Sequence, residues 1–316
     1  MHTEPAIGTM KWSNLLLFVV ALAASGMTTT ATASPAVTKT SCTLCLYGPD
    51  NMTFDTVGNI YLVDTDHNTR SRVMKLSPQG KKLGEWHVFP VVPGHDNGPS
   101  GIALDKDGAI LVTDAQGILK LSPTGKLLAT IGADPGIYDV QSHVAVDQKG
   151  DIYFAQAQRN LIRKFTPAGK LRARWQRDKG SGPDQWNHPE QVSLAPDGNL
   201  VVQDWGNHRM MILSPSGRTI LTFDATRNVP LKLASISSAC VDREGNIYVA
   251  DYQLFRVQEF DSHGKLLATI GNTPGNILFE QAPNSLACSG GGDLYATDGL
   301  SVVKFSREGK LLARWQ

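Results

Sequence analysis

The sequence predicts an all-β protein, a six-bladed β-propeller whose blades are four-stranded antiparallel sheets spanning residues 49–316. Short apolar runs in which polar residues alternate are separated by turns rich in Gly, Pro, Asn and Asp, a pattern typical of β-strands. Four such runs form one unit, and the unit recurs six times at intervals of 42 to 50 residues. A period of this length with four strands per unit is typical of a propeller blade.

Each unit contains two glycine turns, one between the first two strands and one between the last two. The first-turn glycines are Gly58, Gly108, Gly150, Gly198, Gly245 and Gly292, and the second-turn glycines are Gly80, Gly125, Gly169, Gly217, Gly264 and Gly309. Glycine takes the positive φ of a hairpin turn at little cost. We expect both turns on one face of the disc, the bottom, and the irregular loops that carry function on the opposite face, the top.

The second strand ends on an acid in five of the six units. These acids are Asp64, Asp114, Asp204, Asp251 and Asp298, and the third unit has Gln156 instead. The stretch 192–223 shows the whole unit, four apolar runs separated by PDG, DWGNHR and SPSG. Stacking six such sheets around an axis buries faces that one sheet could not bury alone.

Residues 1–33 are predicted to be a signal peptide, with Met10 as a candidate for the true start. Lys11 precedes the apolar run 15–24, and small residues follow it as far as Ala33. The run is too short to span a bilayer, which needs about 20 residues. We expect a secreted, periplasmic or extracellular protein with no transmembrane span after cleavage; a retained N-terminal anchor is the alternative.

The charge balance excludes one class of partner. The formal net charge is +1 and no run of like charges occurs. Nucleic-acid binding depends on clustered Lys and Arg, so we expect no nucleic-acid partner. We expect a monomer that binds a protein or small molecule through its top face.

Four cysteines fit an oxidising compartment. Cys42 and Cys45 lie in the N-terminal segment 34–48, whereas Cys240 and Cys288 lie on the innermost strands of blades five and six. No helix is predicted after the CTLC pair, as a redox-active motif would require. We expect a structural role, either as disulfides or as buried thiols, and the pairing stays open.

Two segments carry a resemblance to a known family. The segments DREGNIYVADYQLFRVQEF at 242–260 and DWGNHRMMIL at 204–213 resemble NHL repeats. The resemblance implies the six-bladed fold. It leaves function open, because that family includes binding modules, sensors and enzymes.

The start of each innermost strand predicts a ring of polar residues around the axial mouth on the top face. The ring consists of Asp50, Ser100, Ser142, Glu190, Ser237 and Asn284. Crowded carboxylates need a compensating cation or ordered water. Oxygen ligands suit calcium or magnesium, so Asp50, Glu190 and Asn284 are the predicted metal ligands. A water-filled polar channel is the alternative.

The mouth is similar to that of SMP-30 and gluconolactonase propellers, where a divalent metal lies on Glu, Asn and Asp. The similarity implies hydrolysis of a lactone or ester by a metal that polarises the carbonyl. Two residues depart from the ligand pattern of that family: Asp50 stands where the family has Glu, and Ser237 stands where Asp is expected. A zinc-dependent lyase would need three convergent histidines; His143 and His188 lie near the axis, but His67 and His208 lie further out.

The first functional hypothesis is a binding scaffold, with the metal-dependent hydrolase or lyase as the alternative. The predicted ligand-binding residues are Trp205, His208, Tyr252, His143 and Gln191, and Trp186 and Phe279 are also expected on the top face. Aromatic side chains of this kind dominate many binding interfaces. The three tryptophans that end fourth strands are expected to pack between blades instead: Trp86, Trp175 and Trp315.

Overall fold

The computed structural model describes residues 44–66, 70–87, 98–134, 142–223 and 235–316. These residues form 24 strands in six four-stranded antiparallel sheets, each with its strands in sequence order. The first strand of each sheet contacts the first strand of the next, and the sixth contacts the first, so the ring is closed. The predicted six-bladed propeller is confirmed. The predicted signal peptide and Cys42 lie outside the described residues.

The strands are numbered in chain order, four to a blade. Blades 1 to 3 comprise β1 Pro49–Phe54, β2 Ile60–Thr65, β3 Ser71–Leu76, β4 Lys82–Trp86, β5 Ile102–Leu104, β6 Ile110–Thr113, β7 Ile118–Leu121, β8 Leu127–Ile131, β9 Ser142–Val146, β10 Ile152–Gln156, β11 Leu161–Phe165 and β12 Leu171–Gln176. Blades 4 to 6 comprise β13 Pro189–Leu194, β14 Leu200–Asp204, β15 Arg209–Leu213, β16 Thr219–Phe223, β17 Ile236–Val241, β18 Ile247–Asp251, β19 Arg256–Phe260, β20 Leu266–Gly271, β21 Pro283–Cys288, β22 Leu294–Asp298, β23 Ser301–Phe305 and β24 Leu311–Trp315. Short 3-10 helices, Ala157–Arg159 and Trp205–Asn207, follow β10 and β14.

The core lies between the blades. Each of six apolar clusters joins side chains of two adjacent blades. In one of them, Tyr61 and Val63 of β2 pack with Ile110 and Val112 of β6. Full burial of one large apolar side chain contributes roughly 1.5–3 kcal/mol. A blade therefore depends on both neighbours for its stability.

The twelve predicted turn glycines all have positive φ, which confirms the assignment of the turns. The second-turn glycines also leave space for a neighbouring blade. A Cβ at Gly125 would overlap the Trp86 ring of the preceding blade, and Gly217 and Trp175 are related in the same way. Trp315 of blade 6 covers Gly80 of blade 1 and so helps to close the ring. The prediction that these tryptophans pack between blades is confirmed.

An aspartate–arginine pair holds the segment leading into the innermost strand in four blades. In blade 4, Asp204 accepts hydrogen bonds from Asn187 N at 2.7 Å and from Arg209 Nε at 2.7 Å. Asp64 pairs with Arg72 and Asp251 with Arg256 in the same way, and in blade 6 Asp298 pairs with Arg314 of the outer strand β24. The acid that ends the second strand therefore has a structural role, because it fixes the backbone that enters the axis.

Blades 2 and 3 lack this ion pair among the residues that the structure describes. Asp114 accepts hydrogen bonds from Gln116 N and Gly117 N instead, both at 2.9 Å. Burial raises the pKa of the Asp114 carboxyl, against the effect of these hydrogen bonds. Blade 3 has the neutral Gln156 at this position, and that side chain is buried.

Candidate functional site

The innermost strands of blades 1, 4, 5 and 6 begin with an irregularity in their pairing. The register shifts between Pro49 and Met52, between Pro189 and Gln191, and at the equivalent points of β17 and β21. Four of the predicted mouth residues lie within these shifts: Asp50, Glu190, Ser237 and Asn284. Bulges re-aim side chains and are common next to active sites.

The structure brings two of the three predicted metal ligands together. Asn284 Nδ2 donates a hydrogen bond to Asp50 Oδ1 at 3.2 Å, across the boundary between blades 6 and 1. Glu190 is half-buried at the start of β13 in blade 4, which lies opposite blade 1 in a closed ring of six. The two residues therefore belong to blades on opposite sides of the ring.

The hydroxyls of two of the three predicted ring serines, Ser100 and Ser237, bind backbone carbonyls instead. Ser100 Oγ donates to Ser142 O at 2.8 Å, and both serines are buried. Ser237 Oγ donates to Pro283 O at 2.7 Å. These hydrogen bonds join the innermost strands of adjacent blades. Of the six predicted mouth residues, Asp50, Glu190 and Asn284 therefore remain as candidate ligands.

A channel of about 230 Å³ runs below the mouth, lined by the innermost strands and by Asn51, His143 and Gln191. Burial lowers the pKa of His143 to about 4, so the imidazole is neutral near pH 7. Its Nδ1 lies 3.3 Å from the amide nitrogen of Asn51, which can only donate. Nδ1 is therefore the acceptor, and the ring proton is on Nε2. Gln191 is buried, and its Oε1 accepts from Ala239 N at 2.6 Å.

The channel wall contains a disulfide. Cys240 on β17 and Cys288 on β21 form it, with the Cα atoms 5.7 Å apart, so it joins the innermost strands of blades 5 and 6. Cys45 is disulfide-bonded as well. Of the two possibilities that the sequence left open, disulfides rather than buried thiols are observed at these cysteines.

The predicted aromatic surface is correct in part. Trp205, His208 and Tyr252 are exposed on the second loops of blades 4 and 5, and the Trp205 ring meets His188 edge-on at 6.2 Å. The placement of Trp186 and Phe279 on the top surface is wrong, because both rings are fully buried. Each belongs to a connector between blades that folds inwards, so its ring packs into an interblade cluster.

No group of three or more His, Cys, Asp or Glu side chains arranged to hold a metal occurs in the described part of the chain. His67, one of the histidines weighed for a zinc site, lies outside that part. A cation at the mouth would therefore need the carboxylates of Asp50 and Glu190 together with the oxygen of the Asn284 amide, whose nitrogen is the atom that faces Asp50 in this structure. Carboxylate and amide oxygens suit calcium or magnesium, so the donor set fits such an ion.

Sequence patterns did not identify two exposed residues on the second loop of blade 5, Leu254 and Phe255. Phe255 has a φ of 51°, in the left-handed region, and the equivalent residues Asn160 and His208 have φ values of 49° and 50°. Asn and His are common in this conformation, whereas a bulky apolar residue is rare. The sequence signal that could have identified this loop is a Phe at the position where the equivalent residues of blades 3 and 4 are Asn and His.

None of the helices in the described residues has the length and apolar character needed to cross a membrane. No protein-family model matches the chain, so membership of the NHL family stays a prediction. The chain is 24% identical over 285 residues to "Lactonase drp35" of Staphylococcus aureus, covering 80% of this chain and 83% of the relative.

Two solved structures share the fold. A gluconolactonase from Xanthomonas campestris has 16% identity and a TM-score of 0.62, with 84% of this chain and 87% of that chain covered. Virginiamycin B lyase from Staphylococcus aureus has 17% identity and a TM-score of 0.59, with 85% and 84% covered. Both a hydrolase and a lyase thus share the architecture, so the fold by itself does not select the reaction. The chain is a six-bladed β-propeller that resembles gluconolactonases and the Drp35 lactonase.

Proposed function

We propose that this protein is a divalent-cation-dependent hydrolase that opens a lactone or cleaves an ester at the axial mouth of its top face. The observation that carries the proposal is the pairing of Asp50 with Asn284 at the bulged starts of β1 and β21, with Glu190 on the bulge opposite. The curated relatives named lactonases match most of the chain and favour this function over a scaffold without chemistry.

Asp50, Glu190 and Asn284 would hold the cation, calcium or magnesium. When bound, such a cation polarises a substrate carbonyl and lowers the pKa of a water molecule. The bulges set the direction of the ligand side chains, and the aspartate–arginine pairs keep their lead-in segments fixed. Fixed ligands are what allow charge to be stabilised without reorganisation during the reaction.

His143 would form the floor of the site as a neutral hydrogen-bond donor. Its proton is on Nε2, because Nδ1 accepts from Asn51, and its pKa of about 4 keeps the imidazole uncharged at neutral pH. A group with so low a pKa is a poor general base at neutral pH, since efficiency is greatest when the pKa lies near the working pH. His143 would therefore orient the substrate rather than remove a proton.

The structural disulfide between Cys240 and Cys288 supports a further part of the proposal, that the protein is exported. Disulfides persist in oxidising compartments and are rare in the cytosol. The apolar segment at residues 15–24 is the kind of sequence that would direct export.

The second candidate function is a ligand-binding scaffold without catalysis. The exposed rings of Trp205 and Tyr252 on adjacent blades favour it. The two functions differ in one outcome, because only an enzyme would release acid from a lactone.

The test follows acid release from γ-butyrolactone in a pH-stat after treatment with EDTA and then after addition of calcium. The proposal predicts turnover that requires the cation and falls at least about 100-fold in Glu190→Gln, which keeps the size of the side chain and removes its charge. The matched control is Asp66→Asn, which removes a carboxylate of the blade 1 second loop that pairs with Arg70. This variant should keep wild-type turnover. Equal turnover in EDTA and calcium would contradict the proposal.

A further inference from the structure

Five large apolar side chains are exposed on the second loops of three consecutive blades. We call them the apolar platform: Trp205 of blade 4 at 42% exposure, Tyr252, Leu254 and Phe255 of blade 5 at 49%, 48% and 40%, and Leu300 of blade 6 at 56%. Single exposed apolar residues are ordinary, whereas grouped ones mark binding sites. The described second-loop residues of blades 1 to 3 include no exposed large apolar side chain.

Comparison of the blades shows that the fold does not require these side chains. The residue that follows the acid of the second strand (Gln156 in blade 3) is aromatic and exposed in blades 4 and 5, as Trp205 and Tyr252. The other blades carry small residues at that position: Thr65, Ala115, Ala157 and Gly299. Since four blades fold without a ring there, Trp205 and Tyr252 are not needed for blade packing.

Phe255 adds an independent observation. It takes the left-handed conformation that Asn160 takes in blade 3 and His208 in blade 4, with a φ of 51°. A bulky side chain is unfavourable in this region, and such strain persists chiefly at functional sites. Full burial of the ring does not offset this cost, because Phe255 remains 40% exposed.

The platform loops are bonded to the segments that carry the mouth residues. Trp205 N donates to His188 O at 3.1 Å, two residues before Glu190, and Tyr252 N donates to Ser235 O at 2.9 Å, two residues before Ser237. In blade 6, Gln281 N donates to Asp298 Oδ1 at 2.6 Å, three residues before Asn284. The loops that carry the platform therefore lie beside the segments that lead into the mouth in three of the six blades.

The chemistry of the platform selects an uncharged, apolar occupant. The loop from Tyr252 to Phe255 contains no charged residue, and neither does the stretch from Trp205 to Asn207. An apolar substituent gains about 0.8 kcal/mol for each methylene removed from water, which corresponds to roughly fourfold in affinity. A charged substrate arm would find no charged partner in either stretch.

We propose that the apolar platform binds the alkyl or aryl substituent of the substrate, so that the preferred substrate is a lactone or ester with a long apolar substituent. The inference rests on the proposed function, because the mouth is where the ester group would react. Trp205 and Phe255 are specificity-determining residues in this arrangement, and they act on substrate affinity rather than on the chemical step.

The experiment compares γ-dodecalactone with γ-butyrolactone in the calcium-loaded full-length protein. We expect wild type to have a kcat/KM for the dodecalactone at least about 100-fold higher than for the butyrolactone. The variant Trp205→Ser with Phe255→Asn should raise KM for the dodecalactone at least about tenfold, keep its kcat, and leave the butyrolactone unchanged. Leu267→Ser is the matched control, since Leu267 is 48% exposed on an outer strand of blade 5.

A binding measurement separates failure of this inference from failure of the proposed function. Equilibrium dialysis of γ-dodecalactone against the protein in EDTA does not need turnover. Binding that the double variant loses would support the platform even if neither lactone were hydrolysed. Equal binding by wild type and the double variant, or none by either, would overturn it.

The same double variant tests two other occupants of the platform. Sedimentation with phosphatidylcholine vesicles tests a lipid surface, and sedimentation velocity of the protein alone tests a second copy of the chain. Vesicle binding or dimerisation that the double variant abolishes, with dodecalactone binding unchanged, would overturn the proposal that the platform serves the substrate.

Discussion

Blades 1 to 3 and blades 4 to 6 share one scaffold and differ at the top face. The exposed and half-buried second-loop residues described in the first half are polar, among them Asp66, Arg70, Gln116 and Gln158. The second half exposes the apolar platform beside Glu190 and Asn284. Both halves have the same glycine turns and the same interblade packing, so the difference is not needed for folding. Residues that vary between equivalent loops of a rigid scaffold are where function is expected.

The largest effect is predicted for the ion pair that fixes the segment leading to Glu190. Asp204 is fully buried and ion-paired to Arg209 at 2.7 Å, whereas the partners of Asp114 in blade 2, within the described residues, are backbone N–H groups. Asp204→Ala should lower the free energy of unfolding by about 3–5 kcal/mol, because it leaves a buried arginine unpaired. Asp114→Ala should lower it by about 1–2 kcal/mol. Urea unfolding measures both; equal losses would contradict the difference between the blades.

The second prediction concerns the disulfide, which lies in the second half. Replacing Cys240 and Cys288 by Ala should lower the free energy of unfolding by about 2–4 kcal/mol, since the bond closes a loop with a sequence separation of 48. Urea unfolding under oxidising conditions measures the loss. The free energy of unfolding of wild type should fall by at least as much when a reductant is added. A variant without the two cysteines that is as stable as oxidised wild type would show that the disulfide is dispensable.

The smallest effect is predicted for His143, which the first half contributes to the channel. Its pKa is lowered to about 4 in the folded protein, so the unfolded chain binds the proton first as the pH falls. Stability should therefore be complete above the unfolded pKa of about 6.5 and should fall by about 2 kcal/mol between about pH 7 and about pH 5. His143→Gln should remove this part of the pH dependence. An unchanged slope in the variant would show that His143 is not the titrating group.

The sequence was sufficient for the features that repeat. The glycine of each turn and the alternation of each strand depend on local geometry, and six copies allow one unit to be checked against another. The innermost positions of Asp50, Glu190 and Asn284 followed from the same alignment. Trp86, Trp175 and Trp315 were assigned to the interblade packing because they end equivalent strands.

The features that the sequence left undetermined depend on contacts between distant segments. Trp186 and Phe279 were expected on the surface because they belong to connectors, and only the folded path of those connectors shows that they are buried. Ser100 was expected at the mouth, but its hydroxyl binds a carbonyl 42 positions away. The pairing of Cys240 with Cys288 requires that β17 and β21 be neighbours, which ring closure decides.

The cation dependence of thermal stability tests the central claim most directly, because it requires no knowledge of the substrate. A cation that binds only the folded state raises the melting temperature by mass action. After removal of metal with EDTA, calcium should raise the melting temperature of wild type and of Asp66→Asn. It should leave Asp50→Asn with Glu190→Gln unchanged. The same rise in that double variant, or none in wild type, would contradict a cation site at the mouth.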